Sequence, residues 1–124
     1  MTVWDIAYWT SEDIRHFEIH IGNFLDDFYR SSREAREKMV EQEPEAYEHL
    51  PSHMLPFLAG MVHKLCNDYG VDCPAWVHKA QYVLQEPCFP LNSKDNLRQL
   101  LLDESPMEFR IRNIFTTDNC LTRV

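Results

Sequence analysis

Residues 11–31, SEDIRHFEIHIGNFLDDFYRS, decide the fold class. Ile14, Phe17, Ile21, Phe24, Leu25 and Phe28 fall at successive steps of three, four, three, one and three residues, which lines them along one side of a 3.6-residue helix. Just upstream, Thr10 and Asp13 have the spacing of a capping box, with aspartate in place of the usual glutamate. The expected helical segment covers residues 11–42, supported by Glu34 and Lys38 at i,i+4 and limited by Pro44. Before it, VWDIAYW at 3–9 is dense in aromatic and β-branched residues and finds no second strand to pair with. It is expected to be an irregular aromatic N-terminal arm over residues 1–10.

Downstream, residues 43–56 contain three prolines and read as a connection. Leu58, Met61, Val62, Leu65 and Tyr69 then mark the buried stripe of a helix from 56 to 69. Gly70 stands where a left-handed C′ residue ends a helix, with Val71 as the apolar contact after it. A further helix is expected behind Pro74, carrying Trp76, Val77, Ala80, Val83 and Leu84 inward. Pro87 and Pro90 stiffen the next connection. Ser93 is expected to cap a helix over 94–103. Ser105, Pro106 and Glu108 supply cap, N1 and N3 of a short one over 106–112, stopped by Asn113. Trp76, Phe89, Leu97, Leu101, Phe109 and Phe115 are the expected core of this half. The reading is one all-α domain of about five helices across residues 1–124, with residues 56–124 as a helical C-terminal part.

Composition bounds what such a domain does. The chain has 124 residues, 12 Lys+Arg against 20 Asp+Glu, and a formal net charge of −8. Residues 1–50 carry 5 basic and 12 acidic side chains, a net −7. An acidic surface repels the phosphate backbone, so nucleic acid is not an expected partner. No apolar run reaches the roughly 18 residues of a membrane helix. Only Gly22, Gly60 and Gly70 are available, which removes phosphate-cradling and dinucleotide-binding loops. MTVWDIAYWTSED lacks the basic and apolar regions of a secretory signal. The expected compartment is therefore the cytoplasm, with Cys66, Cys73, Cys88 and Cys120 as reduced, mostly buried side chains.

From Tyr69 onward, YGVDCPAWV, YVLQEPCFP and LLLDESPMEFRIRNIFTTDNCLTRV carry a more specific pattern. Its core is Glu104-Ser105-Pro106 before Phe109-Arg110-x-Arg112-Asn113-x-Phe115, then Leu121-x-Arg123. This resembles the C-terminal half of a group of small uncharacterised bacterial proteins whose genes neighbour nucleotidyltransferase-like genes of toxin–antitoxin type. The resemblance covers about 55 residues and implies a partner-binding role.

Four sets of residues are chemically suggestive. Arg15 and His20 form R-x4-H, which resembles the motif of the small helical ribonucleases called HEPN proteins, where histidine moves a proton and arginine holds phosphate. Five residues of ideal helix turn about 500°, so these side chains diverge by roughly 140°. His16 and His20 share a helix face at i,i+4 and would suit a metal only with ligands from other helices. His63, Cys66, Cys73 and His78 place four N/S ligands in 16 residues, an inventory compatible with zinc but with no familiar finger spacing. Arg110 and Arg112 flank Ile111 and read either as an anion grip or as arginines that bond helix-terminal carbonyls.

None of these sets accounts for the aromatics, which make up 12% of the chain. Trp4, Tyr8 and Trp9 are the expected interface residues, for a protein partner or a homodimer. The functional expectation is a non-catalytic protein-interaction module with no cofactor and no evident small-molecule site. An RNA-cleaving helical enzyme using Arg15 and His20 and a zinc-stapled domain using His63, Cys66, Cys73 and His78 are the alternatives.

Overall fold

The aromatic segment near the N-terminus is a helix, not an irregular arm. A computed structural model describes residues 1–89, 105–116 and 121, and its first element is α1, Val3–Glu12. Thr2 caps it: its side chain accepts from the Asp5 amide at 3.2 Å, and the Asp5 carboxylate accepts from the Thr2 amide at 2.9 Å. That reciprocal box satisfies two orphan donors and offsets the poor helix propensity of the aromatic and β-branched residues. Val3, Ile6, Ala7 and Thr10 face the core. Thr10 is thus interior to α1 instead of capping the next helix, and Asp13 caps in its place, accepting from the Arg15 amide at 3.0 Å.

The expected single segment over 11–42 is divided into three pieces. A 3-10 turn, Ile14–His16, leads into α2, Phe17–Arg30, and α3 covers Arg33–Glu41. The break lies at Ser31, whose backbone is extended, and Ser32 caps α3 by accepting from the Ala35 amide. Serine favours this because its hydroxyl competes for backbone groups: Ser31 Oγ donates to the Asp27 carbonyl at 2.6 Å. Arg36 completes the joint. Its Nε donates to the Phe28 carbonyl at 2.8 Å and its Nη2 to the Tyr29 carbonyl at 3.2 Å. The same guanidinium lies 4.9 Å from the Phe28 ring centroid and 4.8 Å from that of Tyr69.

The central element is α4, Met54–Tyr69. Ten of its residues are buried, from Met54 to Cys66, so it is surrounded on most sides. Gly70 ends it at φ +66°, as expected from the sequence. The helix expected behind Pro74 is instead two 3-10 turns, Ala75–His78 and Ala80–Tyr82, separated by extended Lys79. Three tertiary bonds hold this broken form. Trp76 Nε1 donates to the Val40 carbonyl at 2.9 Å, while Lys79 Nζ and the Tyr82 hydroxyl both reach the Glu43 carboxylate at 2.7 Å.

A short α5, Met107–Arg110, packs on α4. Ser105 does not cap it. Its hydroxyl turns inward, donating to the Thr116 carbonyl at 3.0 Å and accepting from the Thr116 amide at 2.9 Å. Asn113 is left-handed at φ +66° and stops the helix as expected. The proline-stiffened stretch then runs parallel to 112–115: the Cys88 amide donates to the Asn113 carbonyl at 2.8 Å and the Phe115 amide to the Cys88 carbonyl at 2.9 Å. The protein is all-α, with five α-helices among the described residues. No described helix is long and apolar enough to cross a membrane.

Of the expected C-terminal core, Trp76 and Phe109 enter one continuous apolar cluster with α1, α2 and α4. Phe115 is buried and stacks on half-buried Phe89, with ring centroids 5.4 Å apart. Leu97, Leu101 and the expected helix over 94–103 lie outside the described residues.

Phe109 is fully buried and fits against Gly60 on α4: a Cβ at Gly60 would stand 2.7 Å from Phe109 Cδ1 and 3.4 Å from the Glu108 carbonyl oxygen. In an open helix, Gly→Ala stabilises by roughly 0.5–1 kcal/mol. Overpacking a filled core costs about 1–3 kcal/mol and outweighs it here. Gly60→Ala is therefore expected to lower stability by about 1–2 kcal/mol in a denaturant titration. Adding Phe109→Leu should recover part of the loss.

Candidate functional site

The core-facing side of α1 determines what its other side exposes. With Val3, Ile6, Ala7 and Thr10 turned inward, the 100° step per residue places Trp4, Asp5, Tyr8, Trp9 and Glu12 outward. Trp9 is 50% exposed and Tyr8 37%. The Trp4 and Tyr8 rings stack at 5.5 Å and 7°, and Trp9 stands nearly perpendicular to Tyr8 at 5.3 Å and 77°. Two ring planes therefore meet in a corner on the surface. The helix contains no Lys, Arg or His.

The connection after α3 borders this face. His49 Nε2 lies 2.6 Å from the Ser11 carbonyl oxygen. The Tyr47 ring lies 6.3 Å from that of His49. Burial pushes the Tyr47 hydroxyl above its ordinary value, and the negative charges of Glu45 and Glu12 push the same way. Glu12, Glu45 and Tyr47 were not singled out from the sequence. The signal for Glu12 was its i+4 spacing from Tyr8, visible only once 3–12 is read as a helix.

The other candidate residues lie elsewhere. Arg15 sits in the 3-10 turn and forks onto Asp13, with Nε at 3.0 Å from Oδ1 and Nη2 at 2.9 Å from Oδ2. That contact holds the Asp13 carboxyl far below its usual range. His20 lies on α2 with its ring edge-on to His16, centroids 6.3 Å apart, and its Nδ1 is buried without a partner among the described residues. Arg15 and His20 thus each have a local environment of their own, Asp13 for the guanidinium and His16 for the imidazole. Asp13, not a shared substrate, holds the guanidinium.

His63, Cys66, Cys73 and His78 do approach one another, around Arg112. The His63 and His78 rings meet edge to face at 4.9 Å, and Cys66 Sγ lies 4.0 Å from the Asp72 carbonyl oxygen, one residue before Cys73. Arg112 takes the central position, 2% exposed. Its Nη1 lies 3.1 Å from His63 Nδ1 and donates to the Glu108 carbonyl at 2.6 Å, while Nη2 donates to the Val77 carbonyl at 2.6 Å. A guanidinium facing Nδ1 makes that nitrogen the acceptor and keeps a metal cation away from it. Among the described residues no group of three or more His, Cys, Asp or Glu has a metal-holding arrangement. Burial pushes the Cys66 thiol up to about 12 and raises Cys73 as well, although the Arg112 charge opposes the second shift. Cys66, Cys73 and Cys88 are free thiols.

Arg110 and Arg112 point to different environments. Arg110 is exposed, whereas Arg112 is buried against carbonyl oxygens. They do not form a joint anion grip, because Arg112 lies past the end of α5, in the turn leading to left-handed Asn113, and its side chain folds inward onto the Glu108 and Val77 carbonyls. An open groove of about 930 Å³ also runs past Ser52, His53, Gln81, Leu84, Glu86 and Phe89. The described residues contribute no convergent set of charged groups to it.

No known protein family matches this chain, and comparison with curated proteins and with solved structures gives no match.

The Arg112 cluster has two measurable consequences. Arg112→Ala removes three bonds from a buried charged donor, and loss of about 3 kcal/mol or more is expected in denaturant unfolding. Arg112→Lys should restore only part, lacking the fork. His63 carries a pKa held below its ordinary value of 6.5, chiefly by burial, then by Arg112 and His78, with Glu108 opposing. Its neutral form is the folded form. Above pH 6.5 the contribution is complete. As pH falls below 6.5 the unfolded chain takes the proton first, so stability should decline until the folded-state pKa is passed. Melting points measured across this range should show the slope, and His63→Asn should flatten it.

Proposed function

We propose that this chain is a non-catalytic protein-interaction module of the bacterial cytoplasm, the partner member of a toxin–antitoxin-like pair. The observation that supports this most directly is the outward side of α1. Trp4, Tyr8 and Trp9 are carried on a helix whose opposite side is core, so the rings are presented rigidly. Rigid, partly exposed Trp and Tyr residues are the side chains that most often dominate protein–protein binding energy. The resemblance of the C-terminal half, from Glu104 to Arg123, supports the pairing. The RNA-cleaving alternative has less to support it, since the Arg15 guanidinium is paired with Asp13.

Because Val3, Ile6 and Ala7 are buried, deleting residues 1–9 would unfold the domain, and point substitutions are the informative change. Trp9→Ala and Tyr8→Ala are expected to leave the unfolding free energy within about 1 kcal/mol of the parent, as surface substitutions do. They should weaken association with the partner co-purified from host cells by roughly 30-fold each. Retention of that partner by both variants would overturn the reading. RNA cleavage abolished by both Arg15→Ala and His20→Ala would replace it with the enzymatic one.

A further inference from the structure

We infer that the face formed by Trp4, Tyr8, Trp9, Glu12 and Glu45 takes arginine-bearing segments of a basic protein partner, not a second copy of this chain. This rests on the interaction reading of α1 above and adds the chemistry of the occupant.

Three observations carry it. The first is the ring geometry. Tyr8 and Trp9 meet at 77° with one face of Tyr8 stacked on Trp4, and Trp9, 50% exposed, leaves ring surface open to a planar cation. Guanidinium groups stack on such faces and are less strongly hydrated than ammonium groups, which lowers the penalty of docking there. The second is the charge around the rings. Glu12 lies on the same side of α1, and the connection carrying Glu45 and Tyr47 is tied to the end of this helix by His49, which lies 2.6 Å from the Ser11 carbonyl oxygen with its ring 6.3 Å from that of Tyr47. Among the described residues no ion pair joins Glu12 or Glu45 to a cation of this chain. The third is the backbone. Glu12 is the last residue of α1, and the last turn carries no basic side chain. The negative end of the helix dipole adds to the Glu12 carboxylate, with the neighbouring Ser11 carbonyl met by His49 Nε2 at 2.6 Å.

Charge complementarity selects the partner. A homodimer through this face would oppose two copies of a half-chain carrying 12 acidic and 5 basic residues, with the same uncompensated carboxylates across a two-fold axis. A basic partner turns that repulsion into attraction and into faster association. Arginine is favoured over lysine because its fork can bond a carboxylate in a bidentate manner while its plane lies on a ring.

The test titrates the full chain with three amphipathic peptides of the same length: alternating Arg/Leu, Lys/Leu and Glu/Leu. Tryptophan fluorescence and calorimetry report binding at physiological salt. The Arg/Leu peptide should bind most tightly and the Glu/Leu peptide not at all. Trp9→Ala should weaken Arg/Leu binding about tenfold without changing net charge. Glu12→Gln should weaken it and reduce its salt dependence. If Trp9→Ala binds as the parent does, the affinity comes from overall negative charge and the site is overturned. Equal binding of the Arg/Leu and Glu/Leu peptides overturns the basic occupant. It leaves the interaction reading standing, since the native-partner experiment tests that separately. Dimerisation of the parent that Trp9→Ala abolishes would overturn the choice of partner.

Discussion

A single buried guanidinium holds the C-terminal half of this protein together. Arg112 bonds the end of α5 through the Glu108 carbonyl, the first 3-10 turn through the Val77 carbonyl, and α4 through His63. These are short pieces: α5 has 4 residues and the two 3-10 turns 4 and 3. Elements of that length are not stable alone, because helix nucleation is not repaid within a single turn. A buried cation is costly unless its donors are met. Here the Glu108 and Val77 carbonyl oxygens, in the short α5 and the first 3-10 turn, and His63 Nδ1 meet the two Nη groups, while the buried Nε has no partner among the described residues. The cluster is a mutual solution to two unfavourable terms, and it leaves His63 and the nearby thiols in structural positions.

Arg36 does similar work in the N-terminal half, on a joint between longer helices. Its guanidinium accommodates the last carbonyls of α2 and lies against the Phe28 and Tyr69 rings. With α2 ended there, α3 turns back, and the following connection reaches Tyr47 and His49 alongside α1. The surface around Trp9 therefore depends on where α2 stops. Two cationic bolts hold the interior, while the exposed face of α1 carries only aromatic and acidic groups. That asymmetry gives the face its chemical character.

Much of the helical framework was legible. The spacing from Phe17 to Phe28 is a helix face, Gly70 and Asn113 are both left-handed stops at φ +66°, and the proline-rich stretches are connections. The N-terminus was misread for an instructive reason. The chain contains T-x-x-D twice, at 2–5 and at 10–13. Local chemistry treats the two as equal, but only Thr2 caps, because burying Val3, Ile6 and Ala7 needs 3–12 to be helical and draws Thr10 inside. The stretch behind Pro74 failed similarly: its apolar spacing suits a helix, yet Trp76, Tyr82 and Lys79 each bond a residue more than 30 positions away. Trp4, Tyr8 and Trp9 were picked out as surplus aromatics. Their alignment with Glu12 was not visible while the segment was read as irregular.

By itself, then, the sequence determined the all-α class, the left-handed stops at Gly70 and Asn113 and the acidity of the first half, because periodicity, left-handed stops and charge are local properties. Tertiary structure alone decided which of two equivalent caps is used, and which of two neighbouring arginines is interior. It also set the Arg112 guanidinium against His63. Arg112 and His63 are 49 residues apart in the chain. Nothing near either one encodes the other, and only the packing of α5 on α4 brings the donor to the acceptor.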